Sequence, residues 1–501
     1  MSVTEQKKSA ISETMVVVGG QLVQLVLTFG TSLMIARILN AEGYGVVNLL
    51  KTLFITIASI APLGLDLALL KYCGKNSPND PVFQAIIRYL RQIAFGFSLF
   101  LVFTLSFAVY FTPLGAIYTY KDFHWFFVIS IIAMPFAVDT AILGALYKSN
   151  GQAAQYSYMT QYLQSFTRLS LIILAAFFSP TLETIIWIST VQLVSSSIAL
   201  LVHGRIGIQK APPNFLEKPK NLWPEAKSVF SVSIWMCTSL FAYGLMRSGD
   251  LMFLGAYSDA KNLGEYAALA TVAQLIMFYP IAASQSLGPD VSKDFHTQNF
   301  NALKDRLFTY TYSAAIVSGF VFGGIAIFGQ RLDLVLGGSF HFQPIVCLLI
   351  AATQFTSATL APTGYALSMT GHHRAENLII LAGCLLLIVL LFVLVPAFGQ
   401  TGAASASLIA IMALNATRLY KIKKTVGFLP LQFQSVFPPL TALGLAFGCF
   451  YLDQFIGSRN LIVTFFSCLF YTILYAVCCY CFFITPLLKQ QIQARFKRVF
   501  A

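Results

Sequence analysis

The sequence predicts an all-α integral membrane protein with about 14 transmembrane helices. Of its 501 residues, 57% are hydrophobic and only 10% are charged, whereas a soluble chain carries roughly a quarter charged residues. Apolar stretches of about 20 residues, long enough to cross a bilayer, recur along the whole chain. Because these stretches lack the alternating pattern of a membrane barrel, only helices can satisfy their backbone groups in lipid.

The predicted spans follow one another with short connections. The polar N-terminus is not followed by the short apolar run and cleavage site of a removable signal peptide, so we expect none. The fourteen spans are residues 15–38, 46–70, 92–112, 123–147, 153–178, 185–203, 229–257, 266–287, 307–329, 344–369, 378–395, 402–419, 436–452 and 461–484.

The basic residues predict the direction of these spans. With the N-terminus inside, most of the 32 lysines and arginines fall in inner segments, which favours a cytoplasmic N-terminus and C-terminus. Basic loops beside an anionic inner leaflet also explain the net charge of +13, so no nucleic-acid partner is required. The basic residues predicted in outer segments are Arg37, Lys121, Lys261, Arg331 and Arg459.

A connection rich in proline and lysine divides the chain. Residues 205–227 are predicted to be a cytoplasmic linker between two helical bundles. The expected domains are therefore an N-terminal lobe over 1–204, with spans 1 to 6, and a C-terminal lobe over 228–420, with spans 7 to 12. Residues 421–501 add spans 13 and 14 and a basic cytoplasmic tail.

The two halves resemble each other weakly. Gly43-Tyr44-Gly45 opens the second span, and Gly264-Glu265-Tyr266 opens the eighth. A lysine follows each of these spans at a similar offset, Lys71 in the first half and Lys293 in the second. Two repeats in the same orientation are typical of transporters whose binding site lies between the halves.

Three cations lie inside predicted spans, where a charge is costly and tends to face a bundle interior or a wet cavity. Lys51 is near the outer end of its span and could instead reach the interface. Arg168 lies deeper in the fifth span, and Arg247 lies deep in the seventh. If the three converge, they form a positive pocket suited to phosphate or diphosphate.

Three acids are candidates for coupling or gating. Asp66 and Asp139 lie toward the inner ends of the second and fourth spans, where Asp66 could equally pair with loop lysines. Asp250 follows Arg247 by three residues, so a local ion pair between them is the alternative to a cavity role for Arg247. No residue spacing indicates a metal site, and no cofactor is expected.

Uncharged residues in the spans suggest contacts and bends. Glutamines and tyrosines could bond sugar hydroxyls or tie helices together. Pro62, Pro135 and Pro280 are expected bend points. The GxxxG spacings at 319–323 and 444–448 predict close helix packing. The polar residues in question are Gln21, Gln24, Gln161, Gln164, Gln192, Gln274, Gln354, Tyr158, Tyr162 and Tyr243.

The stretches ARILNAEGYGVVNLLKTLF and APLGLDLALLKY, together with RSGDLMFLG and LGEYAALATVAQL, resemble the multidrug/oligosaccharidyl-lipid/polysaccharide (MOP) exporter superfamily, in particular its branch of bacterial O-antigen flippases. The resemblance implies two six-helix lobes in a V around a cationic cavity, with two additional C-terminal helices. It also implies alternating access that moves an undecaprenyl-diphosphate-linked oligosaccharide to the periplasmic leaflet of the bacterial inner membrane.

The resemblance carries the family's cavity cations onto Lys51, Arg168 and Arg247. The expected partners are the lipid-linked oligosaccharide and membrane lipid. A polysaccharide polymerase and chain-length machinery are candidate protein partners, and H+ or Na+ is a candidate coupling ion.

Three other functions remain open at this point. A drug/cation antiporter of the same superfamily would favour an acidic cavity, and the first span has no acid. A lipid II flippase is a closer alternative. A membrane glycosyltransferase or polymerase would require catalytic acids in an outer domain, and every predicted outer loop is short, so we do not expect an enzyme.

Overall fold

A computed structural model describes residues 3–66, 68–69, 81–149, 152–178, 181–208, 223–431, 433–455 and 461–483. Within these ranges the chain is helical and contains no β-strand, which confirms the predicted fold class. The chain divides into two compact units, Met1–Gly264 and Glu265–Ala501.

The first unit is built from long helices interrupted by short irregular turns. A 3₁₀ segment, Pro113–Ile117, follows α2, and a π-turn, Tyr158–Leu163, joins α5 to α6. The last helix, α9, crosses the boundary between the two units. The helices are α1 Val3–Ala58, α2 Pro81–Phe111, α3 Phe123–Ile131, α4 Met134–Ser149, α5 Ala153–Ser157, α6 Gln164–Phe178, α7 Leu182–Ile208, α8 Trp223–Tyr257 and α9 Ala260–Ala273.

The second unit continues the same pattern. Its helices are α10 Phe278–His296, α11 Phe300–Phe328, α12 Asp333–Leu336, α13 Pro344–Leu367, α14 His373–Val426, α15 Phe437–Phe455 and α16 Leu461–Cys478. Its irregular segments are the 3₁₀ turns Gln274–Met277, Gly329–Arg331 and Phe433–Val436 and the π-turns Ser368–His372 and Cys479–Phe483.

Seven helical stretches in the described part of the chain are long and apolar enough to cross a membrane. Some of them are too long for one crossing. Pro344–Val426 has 83 residues, which would extend for roughly 125 Å as one straight helix, about four times the thickness of a bilayer core. Backbone breaks at Gly371 (φ 83°) and Gly399 (φ 54°) divide it. The protein is a multi-pass membrane protein, and the number fourteen stays a prediction.

The backbone is also broken near each of the three prolines expected to bend spans. The α1 helix ends before Pro62, α3 and α4 are separate helices before Pro135, and the 3₁₀ turn Gln274–Met277 precedes Pro280. Proline has no N–H to donate to the carbonyl four residues earlier. At Pro280 that carbonyl belongs to Ile276, and it accepts a hydrogen bond from the Ser318 hydroxyl at 2.9 Å.

The connection between α2 and α3 fastens α8 into the first unit. The Tyr120 hydroxyl donates to the carbonyls of Gly255, at 2.7 Å, and Ser258, at 3.0 Å. Burial raises the pKa of Tyr118 to about 12 and also raises the pKa of Tyr120, so both hydroxyls keep their protons for donation. Although the sequence placed α8 in the second lobe, the first compact unit includes it. The 205–227 linker lies largely outside the described residues, and its role as a lobe boundary stays a prediction.

The two additional C-terminal helices, α15 and α16, pack on α11. A Cβ at Gly323 would lie 2.7 Å from the Ala442 carbonyl carbon, and one at Gly319 would lie 3.3 Å from Pro439. The prediction of close packing is therefore confirmed for 319–323. It is wrong for 444–448 within the described part of the chain, where a Cβ at Gly444 or Gly448 meets nothing within 4 Å. Spacing alone does not reveal which helix face is covered.

Tyrosine hydroxyls reinforce the contact between α16 and α11. Tyr471 donates to the carbonyl of Phe320 at 2.7 Å, and Tyr475 donates to the carbonyl of Ile316 at 2.8 Å. The ring of Tyr471 also stacks on that of Phe320, with centroids 5.2 Å apart. Successive turns of α11 therefore bond to successive turns of α16.

Two buried ion pairs fasten the second unit. Arg331 lies 3.0 Å from Asp453, whose side chain is fully buried, and the Arg331 guanidinium lies over the ring of Phe450. Arg418 pairs with Glu376 through two hydrogen bonds. Both residues belong to α14, and the backbone break at Gly399 lies between them. Since buried charges require partners, each pair constrains the helices that carry it.

Candidate substrate-binding site

A cavity lies inside the first unit, among α1, α3, α6 and α7. Its volume is about 200 Å³. The polar lining residues are Gln24, Thr28, Thr31, Lys51, Ser130, Gln164, Ser165, Arg168, Ser189, Thr190 and Gln192, and the apolar ones are Val47, Leu50, Phe54, Ile55, Ile186 and Leu193.

Two of the predicted cations, Lys51 and Arg168, line this cavity. None of the described residues that line it is acidic. The Nε atom of Arg168 is buried and has no hydrogen-bond partner in the described part of the chain. A buried, charged donor without a partner is costly, and two like charges that share a cavity repel each other. An anion in the cavity would relieve both costs.

The third predicted cation, Arg247, lies on α8 and is not among the lining residues. Its charge and that of Arg168 both act on Lys51. Asp250 accepts a hydrogen bond from the backbone N–H of Leu251 at 2.8 Å. The local pairing of Arg247 with Asp250, considered from the sequence, stays a prediction.

Amides and hydroxyls form the rest of the polar lining. Three of the glutamines singled out from the sequence, Gln24, Gln164 and Gln192, are among them. Several hydroxyls give their protons to helix carbonyls, as Thr31 does to Leu27 at 2.6 Å and Ser130 does to Phe126 at 2.8 Å. Their oxygens remain able to accept, so this lining can bind the hydroxyl groups of a sugar.

Tyr44 is a residue near the site that the sequence analysis did not assign. It is buried, its hydroxyl lies 2.6 Å from the Ser32 hydroxyl, and it interacts electrostatically with Arg168. The Asn48 amide donates to its carbonyl at 2.9 Å. The available signal was its place in the Gly43-Tyr44-Gly45 motif, which marks the repeat and lies in one of the stretches that carry the family resemblance.

The coupling candidates lie away from the cavity lining. Asp139 is buried and forms a two-point ion pair with Arg91 of α2, with Nη2 and Oδ2 2.8 Å apart. Asp66 is half-buried, and its charge acts on Tyr156 and Cys237. The gating or coupling roles of Asp66, Asp139 and Asp250 stay predictions. Among the described residues, no group of three or more His, Cys, Asp or Glu could hold a metal ion.

The solved structures with similar folds include transporters. The lipid II flippase MurJ, in an inward closed conformation, superposes with a TM-score of 0.67 at 14% identity, over 93% of this chain and 99% of that one. An inward-facing multidrug resistance MATE family transporter of the MOP superfamily gives 0.63 at 10% identity, over 81% and 94%. A MOP superfamily transporter from Pyrococcus furiosus gives 0.54 at 12% identity, over 85% and 97%.

These likenesses and the apolar helices define a multi-pass membrane protein with the fold of the MOP superfamily transporters. Residues 11–293, more than half of the chain, match the family described as polysaccharide biosynthesis protein, and the chain belongs to that family. The family model indicates polysaccharide biosynthesis, and the likeness to solved transporters establishes the fold. A search of curated proteins found no match.

Proposed function

We propose that this protein moves an undecaprenyl-diphosphate-linked oligosaccharide, the repeat unit of an O-antigen or exopolysaccharide, across the bacterial inner membrane. Transfer runs from the cytoplasmic to the periplasmic leaflet by alternating access. The observation that carries the proposal is the cavity with Lys51 and Arg168 in its lining and no acidic residue among its described lining residues.

The charge of the cavity supports an anionic substrate. A diphosphate supplies several negative oxygens, and arginine can bind two of them at once. The unpartnered Nε of Arg168 would gain an acceptor. A cationic drug would instead meet like charge, which disfavours the antiporter that the sequence left open.

The amide and hydroxyl lining supports a glycan beside the diphosphate. Charged and hydroxylated groups cannot enter hydrocarbon without losing their hydrogen bonds, so a polar path lowers the barrier to transfer. Direction requires coupling to an H+ or Na+ gradient or removal of product, since a binding site alone does not favour one leaflet. If removal of product gives the direction, a polymerase and chain-length machinery that consume the product would be partners.

A lipid II flippase is the second candidate. The structural likeness to the lipid II flippase MurJ extends over 93% of this chain, and this observation favours it. Both substrates carry a polyprenyl diphosphate, so the cations serve either one. The two candidate substrates differ in the glycan, so transport of one or the other distinguishes the two functions.

The test is leaflet translocation in proteoliposomes that contain either a labelled polyprenyl-diphosphate oligosaccharide or labelled lipid II. We expect the oligosaccharide to move, and we expect Lys51→Ala or Arg168→Ala to slow it about tenfold or more, because each removes a charge-assisted contact. Lys227→Ala, which changes an exposed cation outside the cavity, is the matched control and should transport normally.

Preferential movement of lipid II would transfer the assignment to the second candidate. Unchanged oligosaccharide transport in both cavity variants would reject the cavity as the binding site. Arg168→Lys keeps the charge but loses two-point binding, so we expect its rate to fall between those of Arg168→Ala and the unmodified protein.

A further inference from the structure

The helix that carries Arg168 is interrupted by a π-turn. The sequence predicted one continuous span over 153–178, but Tyr158–Leu163 form a π-turn between α5 and α6. Arg168 follows the turn by five residues and lines the cavity. A π-turn accommodates about one extra residue, is rare, and is found frequently at functional sites. Its place just before a cavity cation suggests that it orients that cation.

The extra residue changes the direction of Arg168. In an uninterrupted α-helix at 100° per residue, Ser157 and Arg168 would project within about 20° of each other. Ser157 lies against Gly20 of α1. The π-turn rotates the following helix by roughly 100° relative to that arrangement. Arg168 then shares the cavity with Ser189 and Gln192 of α7.

Two adjacent glycines of α1 make room for the π-turn. A Cβ at Gly20 would collide with the side chain of Gln161 and lie 2.8 Å from the ring of Tyr162. A Cβ at Gly19 would lie 2.9 Å from the Tyr162 hydroxyl. That hydroxyl donates to the carbonyl of Val16 at 3.1 Å. A larger residue at either position would displace the side chains of Ser157, Gln161 or Tyr162 from α1.

A glutamine of α7 fixes the other end of the turn. The Gln192 amide donates through Nε2 to the carbonyl of Gln164 at 2.7 Å. Gln164 is the first residue after the π-turn and lies one helical turn before Arg168. The hydrogen bond therefore holds the start of α6 in the orientation that the π-turn gives it.

We propose that the π-turn Tyr158–Leu163, seated on Gly19 and Gly20 and tied by Gln192, is the positioning element that directs Arg168 into the cavity. Gly20 and Tyr162 are positioning residues, because they act on a bound anion only through Arg168. This inference rests on the proposed function for the role of the anion, whereas the orientation of Arg168 can be measured independently.

The experiment compares Gly20→Ala with Gly30→Ala, a substitution on the same helix whose Cβ would meet none of the described residues within 4 Å. The first readout is the rate at which a dicarbonyl reagent modifies Arg168 in the purified, folded protein, mapped by mass spectrometry. The second is the affinity for inorganic pyrophosphate. We expect Gly20→Ala to change the modification rate of Arg168 about fivefold and to weaken the binding of pyrophosphate about tenfold. In Gly30→Ala both the rate and the affinity should stay within about twofold of those of the unmodified protein.

A double-mutant cycle separates positioning from general damage. In an Arg168→Ala background, Gly20→Ala should change pyrophosphate affinity less than about twofold, because the residue through which it acts is gone. Independent effects that multiply in the double variant would overturn the proposal. If Gly20→Ala does not fold, Tyr162→Phe removes only the hydroxyl that bonds Val16 and should show the same changes in smaller degree.

The two proposals fail in different ways. An unchanged Arg168 modification rate in both Gly20→Ala and Tyr162→Phe would reject the positioning role. If Arg168→Ala itself binds pyrophosphate normally while Gly20→Ala alters the modification rate, the positioning role stands and the proposed function of the cavity is rejected.

Discussion

Charged side chains in the apolar helices are of two kinds. Asp139 is buried against Arg91 of α2, and Glu376 is buried against Arg418, which lies beyond the Gly399 break in the same α14, so both charges are neutralised locally. Lys51 and Arg168 line a cavity that has no acid among its described lining residues. Since burial penalises an uncompensated charge, the first kind stabilises a single helix arrangement, and the second is stable only with water or an anion nearby.

Among single substitutions of paired charges, those in the most buried ion pairs should lower the free energy of unfolding most. Arg418 and Glu376 have side chains 12% and 6% exposed, whereas Arg306, which pairs with Asp294, is 39% exposed. Arg418→Ala leaves a buried carboxylate unpaired, at a cost of about 3–5 kcal/mol. Arg306→Ala also leaves a carboxylate, that of Asp294, but removal of a side chain that is 39% exposed lets water reach it, so this variant should cost about 1 kcal/mol or less. Thermal unfolding in detergent measures both, and equal destabilisation would contradict this account.

Single residues could be predicted from the sequence only where a local pattern marks them. A cation in an apolar span is conspicuous, and the structure places Lys51 and Arg168 in one cavity lining. Pairs across helices were not predictable, because Arg91 and Asp139 are 48 residues apart, and Arg331 and Asp453 lie even farther apart. Such pairs depend on helix neighbours that no local spacing specifies.

At the scale of helices, breaks were easier to predict than packing. Proline removes a backbone donor wherever it occurs, so the bends near Pro62, Pro135 and Pro280 follow from chemistry within one segment. The π-turn before α6 contains no proline or glycine, and no signal in its own sequence predicted it. Its cause lies partly in α1, where Gly19 and Gly20 leave space for it.

The two GxxxG spacings provide a matched test of helix packing. Gly323→Leu places a side chain where the backbone of Ala442 already lies, so we expect α15 to be displaced, at a cost of about 1–3 kcal/mol or more. Gly444→Leu enters open space and should be nearly neutral. Limited proteolysis and thermal unfolding in detergent report the difference. A comparable loss of thermal stability in both variants would mean that the face of α15 bearing Gly444 is also covered.

At the scale of the whole molecule, the long apolar stretch Pro344–Val426 must turn back on itself. The turns at Gly371 and Gly399 separate three segments, so the two turns should lie on opposite sides of the membrane. In a variant without native cysteines, a membrane-impermeant maleimide applied to intact cells should label Phe398→Cys. His373→Cys should be labelled only after the cells are opened. Labelling of both from outside would reject this topology and with it the cytoplasmic termini.

The Arg331–Asp453 pair also has a consequence for biosynthesis. The two residues are about 120 positions apart, and Asp453 lies in the second-to-last helix. At roughly 5–20 residues per second, Arg331 leaves the ribosome roughly 6 to 24 seconds before its partner is made. During that interval the guanidinium of Arg331 in the nascent chain is not neutralised by the Asp453 carboxylate. A chain truncated before α15 would keep that charge permanently, which would mark it for the cell's membrane quality control.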